Sequence, residues 1–366
     1  MTDSADPPDR RLSLAADGQS APARDPLARG EQPGGMESAP GPGQAARVPD
    51  FFIVGHPKSG TTALYEMLRR HPQIYMPELK EPRFFAPDLR ARFLAGGRKG
   101  SRPQLREPLP ETLEQYLALF APARSDQLVG EASPSYLTST VAAELIAAAQ
   151  PRARIVALLR EPVGFLRSLQ LELVQNHIET ERDFARAIER ELVPAMGEGT
   201  SDYLPPIRRY SDRIRYVEQL RRFHAAFPAE QVLVLVYDDF ARDNERTVRQ
   251  VLRFLGVDAS APLQPLRANP TVQVRSVRLD RAVRRTYAGR GRLARATRAT
   301  VKVGVPSGLR GAALDRLRRR LLYAPPPALD ERFARRLRSR FKPEVVALGD
   351  YLGRDLVAEW GYDEID

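Results

Sequence analysis

The chain of 366 residues contains no cysteine, which excludes a disulfide framework and any zinc site built on thiolates. Its four histidines are scattered, His56 in a loop and His177 on a helix among them, and their spacing matches no metal-ligand pattern. No apolar run approaches the roughly 18 residues that cross a bilayer. The segment Met1–Pro8 lacks the apolar core of a secretory signal. Together these absences point to a cytoplasmic protein in a reducing compartment. No internal repeat is found. Hydrophobic residues make up 42% of the chain, enough for a sizeable core, and the net charge is +11.

Acidic residues are nearly missing from one stretch. Between Arg275 and Lys302 ten basic residues face a single acid, Asp280. Such a stripe is either a solvated helix face or a patch for an anionic partner. Leu279, Val283 and Tyr287 repeat every four residues within it, which suits peripheral contact with an anionic membrane surface. Nucleic acid is not expected as a partner.

Residues 1–48 are rich in Pro, Gly, Ala and charge and hold hardly a β-branched or aromatic side chain. They cannot bury enough apolar surface to offset chain entropy, so a disordered tail is expected. A single domain is expected over 49–366, with an Arg-rich helical part at 275–345. Within it, strands are read at 51–55, 74–76, 127–131, 154–159 and 232–237. Helices are read at 61–70, from Pro162, at 212–227 and at 245–255, the last stopped by Gly256. Residues 87–110 read as an insertion over a site. Strands alternating with helices predict a central parallel sheet in a three-layer α/β/α sandwich, with ligands at the carboxyl ends of the strands.

One run carries more chemistry than any other. Phe51–Gly55 is an apolar strand, His56-Pro57-Lys58-Ser59-Gly60 a small-residue loop, and Thr61-Thr62 opens a helix. That order offers backbone N–H groups and a helix N-terminus to an anion. It departs from the nucleotide-triphosphate pattern G-x-x-x-x-G-K-[ST]. Gly55 and Gly60 keep the spacing, but Thr61 follows the second glycine and the lysine sits inside the loop at 58.

The Pro-Lys-Ser-Gly-Thr-Thr string resembles the 5′-phosphosulfate loop of sulfotransferases that use 3′-phosphoadenosine-5′-phosphosulfate (PAPS). The resemblance implies a P-loop-NTPase-like fold and a donor held by Lys58, Ser59, Gly60, Thr61 and Thr62. It also makes Lys58 the cation at the bridging oxygen. Arg160 ends a buried strand and Ser168 follows eight residues later, which is similar to the family's 3′-phosphate site. There Glu161 stands where Asp or Asn is more usual. Arg275-Ser276 resembles a late element that closes over the 3′-phosphate. Lys80-Glu81-Pro82-Arg83-Phe84-Phe85 resembles the K-E-x-x-F-F signature of the heparan-sulfate-type branch, whose glutamate is the proposed general base. Glu81 takes that role by resemblance, and Arg83 stands where some relatives carry histidine. Neighbouring Lys80 lowers the Glu81 pKa and burial raises it; the sequence leaves the balance open. Gly130-Glu131-Ala132-Ser133-Pro134-Ser135-Tyr136 resembles a block lining the acceptor cleft. This makes Glu131 a second base candidate and places Tyr136 at the acceptor, with Tyr216 a further cleft candidate.

The reaction implied is sulfuryl transfer from PAPS to a hydroxyl of a carbohydrate, glycolipid or other small molecule, with no metal required. A lipid-linked acceptor is a further expectation, and Ala132, in place of a lysine, argues against a glycosaminoglycan. Two other readings stay open. One is a Mg²⁺-dependent P-loop kinase; the other is a non-enzymatic protein binding anions or membranes through the basic stripe.

Overall fold

A computed structural model describes residues 47–90, 108–176, 178–192, 210–264, 266, 273–274, 323–324 and 327–365. Nearly all of the expected 1–48 tail, most of the 87–110 insertion, His177, Arg275, Ser276 and the basic stripe lie outside these residues.

Alternation along the strands builds two cores. β1 (Phe51–Gly55) is buried throughout, but its side chains divide. Phe51 and Ile53 join one apolar cluster, Phe52 and Val54 the other. β4 (Arg154–Leu159) divides the same way, with Val156 and Leu158 opposite Ile155, Ala157 and Leu159. A strand buried on both faces is what a parallel sheet between two helical layers requires. Each fully buried Phe, Leu or Ile contributes about 1.5–3 kcal/mol of transfer free energy against the ordering of its segment.

The sheet has five parallel strands in the order β2-β3-β1-β4-β5, with β2 at Ile74–Tyr75, β3 at Leu128–Ala132 and β5 at Val232–Val236. One layer holds α1 (Thr61–Arg69) and α8 (Asn244–Leu255). The other includes α2 (Leu113–Ala118), α3 (Ala142–Ala149), α4 (Pro162–Gln175), α5 (Phe184–Leu192), α6 (Tyr216–Ala226) and α9 (Glu331–Leu352). α7 (Tyr237–Arg242) follows β5 directly, and α10 (Leu356–Glu359) closes the fold. A two-residue pair, β6 (Gln273–Val274) with β7 (Tyr323–Ala324), is antiparallel and separate from the sheet. The fold is thus the expected P-loop-like α/β sandwich.

Two boundaries differ from the sequence reading. The helix expected over 212–227 breaks at Arg215, whose ψ of 61° is not helical, into a 3₁₀ turn at Ser211–Ile214 and α6. Tyr237, read as the end of a strand, instead opens α7. Of the helical part expected over 275–345, the described residues include β7, a strand rather than a helix, and the start of α9, capped by Asp330 accepting from the Phe333 N–H at 2.8 Å.

Because β1 is central, the chain leaves it for β2 and β3 on one side and returns to β4 on the other. Such a reversal opens a crevice at the carboxyl ends of the strands. The loops after β1 and β4 meet there.

Candidate active site

The loop after β1 is built around a left-handed lysine. Lys58 has φ 65° and Gly60 φ 85°. Glycine adopts this region freely, but lysine does so at a cost of roughly 1–3 kcal/mol that the surroundings must offset. Arg160 supplies the offset: its Nη1 donates to the Lys58 carbonyl at 2.8 Å. Gly60 also faces a steric demand, since a Cβ there would lie 2.8 Å from Cδ1 of Phe240. The loop therefore lies close against α7.

Below the lysine, His56 is fully buried between Phe165 and Tyr216, with ring centroids at 4.9 and 5.2 Å. Gln219 spends its amide nitrogen on the Asp212 and Arg213 carbonyls, so its oxygen faces the ring and His56 Nε2–H donates to it at 2.7 Å. Burial holds the imidazole neutral, with a pKa of about 3. The Gln219 hydrogen bond works against that shift and the Arg213 charge adds to it. His56 anchors the loop; it is not placed as a catalyst.

The first turn of α1 presents an open anion cradle. No side chain caps the helix, no acidic residue stands in its first turn, and the first amide to bond back is that of Leu64, to the Gly60 carbonyl at 3.1 Å. The N–H groups ahead of it have no helical partner and carry the positive end of the helix dipole. Ser59 is fully buried and its Oγ has no hydrogen-bond partner among the described residues. An uncapped helix start, an orphaned hydroxyl and an adjacent lysine fit a phosphate or sulfate group.

Arg160 leaves the end of β4 beside this cradle. Its guanidinium stacks 4.5 Å from the Tyr237 ring, and its carbonyl accepts from Tyr216 Oη at 2.8 Å. Glu161 then caps α4, accepting from the Val163 and Gly164 amides at 2.9 and 2.6 Å, and also takes the Tyr362 hydroxyl at 2.6 Å. The longer carboxylate reaches both the helix and the C-terminal segment. Ser168 lies two turns into α4 and is buried.

Glu81 and its neighbours form a second cluster, hung on the end of β3. Glu81 and Arg83 are left-handed, with φ 63° and 54°. Three contacts hold them: Glu81 N–H to the Ala132 carbonyl at 3.1 Å, Arg83 N–H to Ser133 Oγ at 3.0 Å, and Phe85 N–H to Tyr136 Oη at 3.2 Å. The Glu81 carboxylate lies between Lys80 Nζ at 3.0 Å and Arg83 Nη2 at 2.6 Å. Burial works against its charge, but the two cations outweigh it and set the pKa at about 2.

Glu131 and Tyr136 lie deeper than the sequence reading placed them. Expected to line the acceptor cleft, both are fully buried. Alternation along β3 puts Glu131 on the same face as Val129, which packs in the core cluster that holds Tyr116 and Tyr136. There its Oε2 accepts from Tyr116 Oη at 2.6 Å and Tyr136 Oη at 3.0 Å. Burial raises its pKa to about 7, against hydrogen bonds from Ser133, Tyr116 and Tyr136, while the Glu81 charge adds to the rise. Tyr136 Oη links Glu131 to the Phe85 amide and so ties both residues to the segment that carries Glu81. Tyr216, the further cleft candidate, is likewise buried. The structure thus joins Lys58 to Arg160 in one cluster and Glu81, Arg83, Glu131 and Tyr136 in another. It adds Tyr237, Tyr116 and Glu172, which no motif marks.

Known proteins are similar to this chain in sequence and fold. A structure of a sulfotransferase from Alicyclobacillus acidocaldarius superposes with a TM-score of 0.59 at 25% identity, covering 85% of this chain and 98% of that one. Carbohydrate sulfotransferase 15 of Homo sapiens is 28% identical over 256 residues, 57% of this chain and 44% of its own length. Heparan sulfate glucosamine 3-O-sulfotransferase 6 of Homo sapiens is 32% identical over 130 residues, 35% of this chain and 31% of its own. The chain thus spans less than half the length of these two relatives. The model of the sulfotransferase family matches residues 49–261, from β1 through α8, and the chain belongs to that family.

Proposed function

We propose that the protein transfers a sulfuryl group from PAPS to a hydroxyl of a carbohydrate or glycolipid acceptor, releasing 3′,5′-ADP. The observation that carries this reading is the left-handed backbone of Lys58, fixed by Arg160 at its carbonyl and two residues ahead of an uncapped helix-opening glycine. PAPS supplies an activated sulfuryl group on a phosphate leaving group. The amides opening α1, with Thr61 and Thr62, hold its 5′ anion. Lys58 Nζ offsets charge on the leaving oxygen. Arg160 keeps N–H donors beyond the one given to Lys58, and these suit the 3′-phosphate together with Ser168.

Glu81 meets the acceptor as a carboxylate. With a pKa of about 2 it is a weak base towards a free alcohol. As the alcohol oxygen bonds to sulfur, however, its proton becomes far more acidic than any carboxylic acid. Glu81 therefore orients the hydroxyl by accepting its hydrogen bond and takes the proton late, as the bond forms. The names of the relatives support a carbohydrate acceptor.

Calorimetric titration tests the donor. Wild type is expected to bind 3′,5′-ADP without metal, and Arg160→Ala to weaken that binding by about tenfold or more, the loss of one charge-assisted contact. Preference for Mg·ATP over 3′,5′-ADP would transfer the reading to a kinase.

A further inference from the structure

Glu172 lies on α4 one helical turn beyond Ser168, and so on the same face of the helix. Its Oε2 is buried and accepts no hydrogen bond among the described residues. The cation facing that oxygen is Lys58, with Nζ at 3.7 Å, too long for a hydrogen bond but within ion-pair range. The two side chains are 37% and 33% exposed. Although the side chain as a whole is partly hydrated, the buried Oε2 faces the ammonium at ion-pair distance. In the ligand-free protein the Lys58 charge is therefore drawn towards α4 and away from the cradle at the start of α1.

We propose that Glu172 is a positioning residue for Lys58: it holds the ammonium in the free enzyme and yields it when the donor's anion enters the cradle. The proposal rests on the donor reading above. It follows from competition for one cation. Lys58 cannot face Glu172 and a leaving-group oxygen equally well, so part of the donor's binding goes into breaking the pair. Affinity falls by the fraction of enzyme whose lysine is already free. In return, a long flexible side chain starts each cycle confined beside the place where it is needed.

The test is a double-mutant cycle read by calorimetry with 3′,5′-ADP, a stable ligand that needs no acceptor. Glu172→Gln removes the pair and also a carboxylate that repels the ligand. Lys58→Ala leaves the repulsion and removes the pair. Glu172→Gln is expected to tighten 3′,5′-ADP binding by about three- to fivefold more in the presence of Lys58 than in the Lys58→Ala background, the strength of a partly exposed ion pair. Glu172→Asp keeps the charge but shortens the reach by one methylene. It is expected to tighten binding with Lys58 present and to do nothing with Lys58 absent. Equal gains in both backgrounds, or weaker binding in Glu172→Gln, would overturn the proposal while leaving the donor reading intact. Failure of wild type to bind 3′,5′-ADP would instead overturn the donor reading, and with it the anion that competes for the lysine.

Discussion

Lys58→Ala is expected to lower turnover by about 10²–10³, the usual cost of deleting one preorganised group at a site of developing charge. The assay is release of 3′,5′-ADP at saturating PAPS, with a carbohydrate that wild type turns over. Affinity for 3′,5′-ADP is expected to fall far less. The amides at the start of α1 and the Arg160 guanidinium do not depend on the lysine side chain, and binding them draws on the ground state. In the proposed mechanism the lysine acts where charge grows as the sulfur–oxygen bond breaks, so its loss is expected to fall mainly on kcat. The substitution is also clean structurally. Alanine at φ 65° carries the same backbone strain as lysine, and the Arg160 contact that offsets it is made to the carbonyl of residue 58. Lys58→Arg is expected to rescue only partly, because a planar, delocalised guanidinium cannot replace a compact charge on a flexible stem. A variant within about threefold of wild type in kcat would show that another group stabilises the leaving oxygen.

Most of the architecture was legible because it depends on periodicity. β1 and β4 read directly as apolar runs, and the glycine at 256, observed with φ 71°, ends α8 where the sequence placed it. The anion loop was legible because its chemistry is backbone chemistry. Glycine, small residues and a helix start must occur together in sequence to occur together in space. What stayed hidden depends on long-range packing. Nothing in Glu131 distinguishes a cleft carboxylate from a core one; the difference comes from the Tyr116 and Tyr136 hydroxyls that packing brings to it. Lys58, Glu81 and Arg83 are left-handed without being glycine, and sequence carries no sign of a conformation imposed by partners about 50 to 100 residues away. Glu172 sits on a largely apolar helix where a lone carboxylate reads as surface. The balance at Glu81, which the sequence left open, depended on the Lys80 charge at 3.0 Å joined by the Arg83 guanidinium folding back to within 2.6 Å, which together outweigh burial.

Glu131→Gln is expected to change how stability depends on pH. The Glu131 carboxyl goes from an ordinary value of 4.5 in the unfolded chain to about 7 in the folded protein, chiefly through burial. Its folded pKa is raised, so folding favours the protonated form. The contribution is fully present below about pH 4.5 and is lost as pH rises through 7. At about 1.4 kcal/mol per pH unit the gap corresponds to about 3 kcal/mol. Glutamine stays neutral throughout and keeps an oxygen for the Tyr116 and Tyr136 hydroxyls. The groups facing residue 131 are these two tyrosines, Ser133 and the Glu81 carboxylate. Both tyrosines have pKa values raised well above normal by burial and stay protonated. Glu81, with its pKa near 2, stays ionised. None of them titrates between pH 5 and 8. His56 does contribute to the wild-type curve, in the opposite sense. Its pKa is lowered from 6.5 to about 3, so stability rises as pH climbs through that interval. The raw profile mixes the two groups, and the difference between variant and wild type isolates Glu131. Urea denaturation at pH 5, 6, 7 and 8 should show the variant gaining on wild type as pH rises, by up to about 3 kcal/mol. Parallel curves would mean that the carboxyl is not held protonated in the core. The same titration bears on the site, because Tyr136 joins Glu131 to the Phe85 amide at the end of the Glu81 loop. A second negative charge placed beneath that loop above pH 7 loads the three contacts that keep Glu81 and Arg83 left-handed.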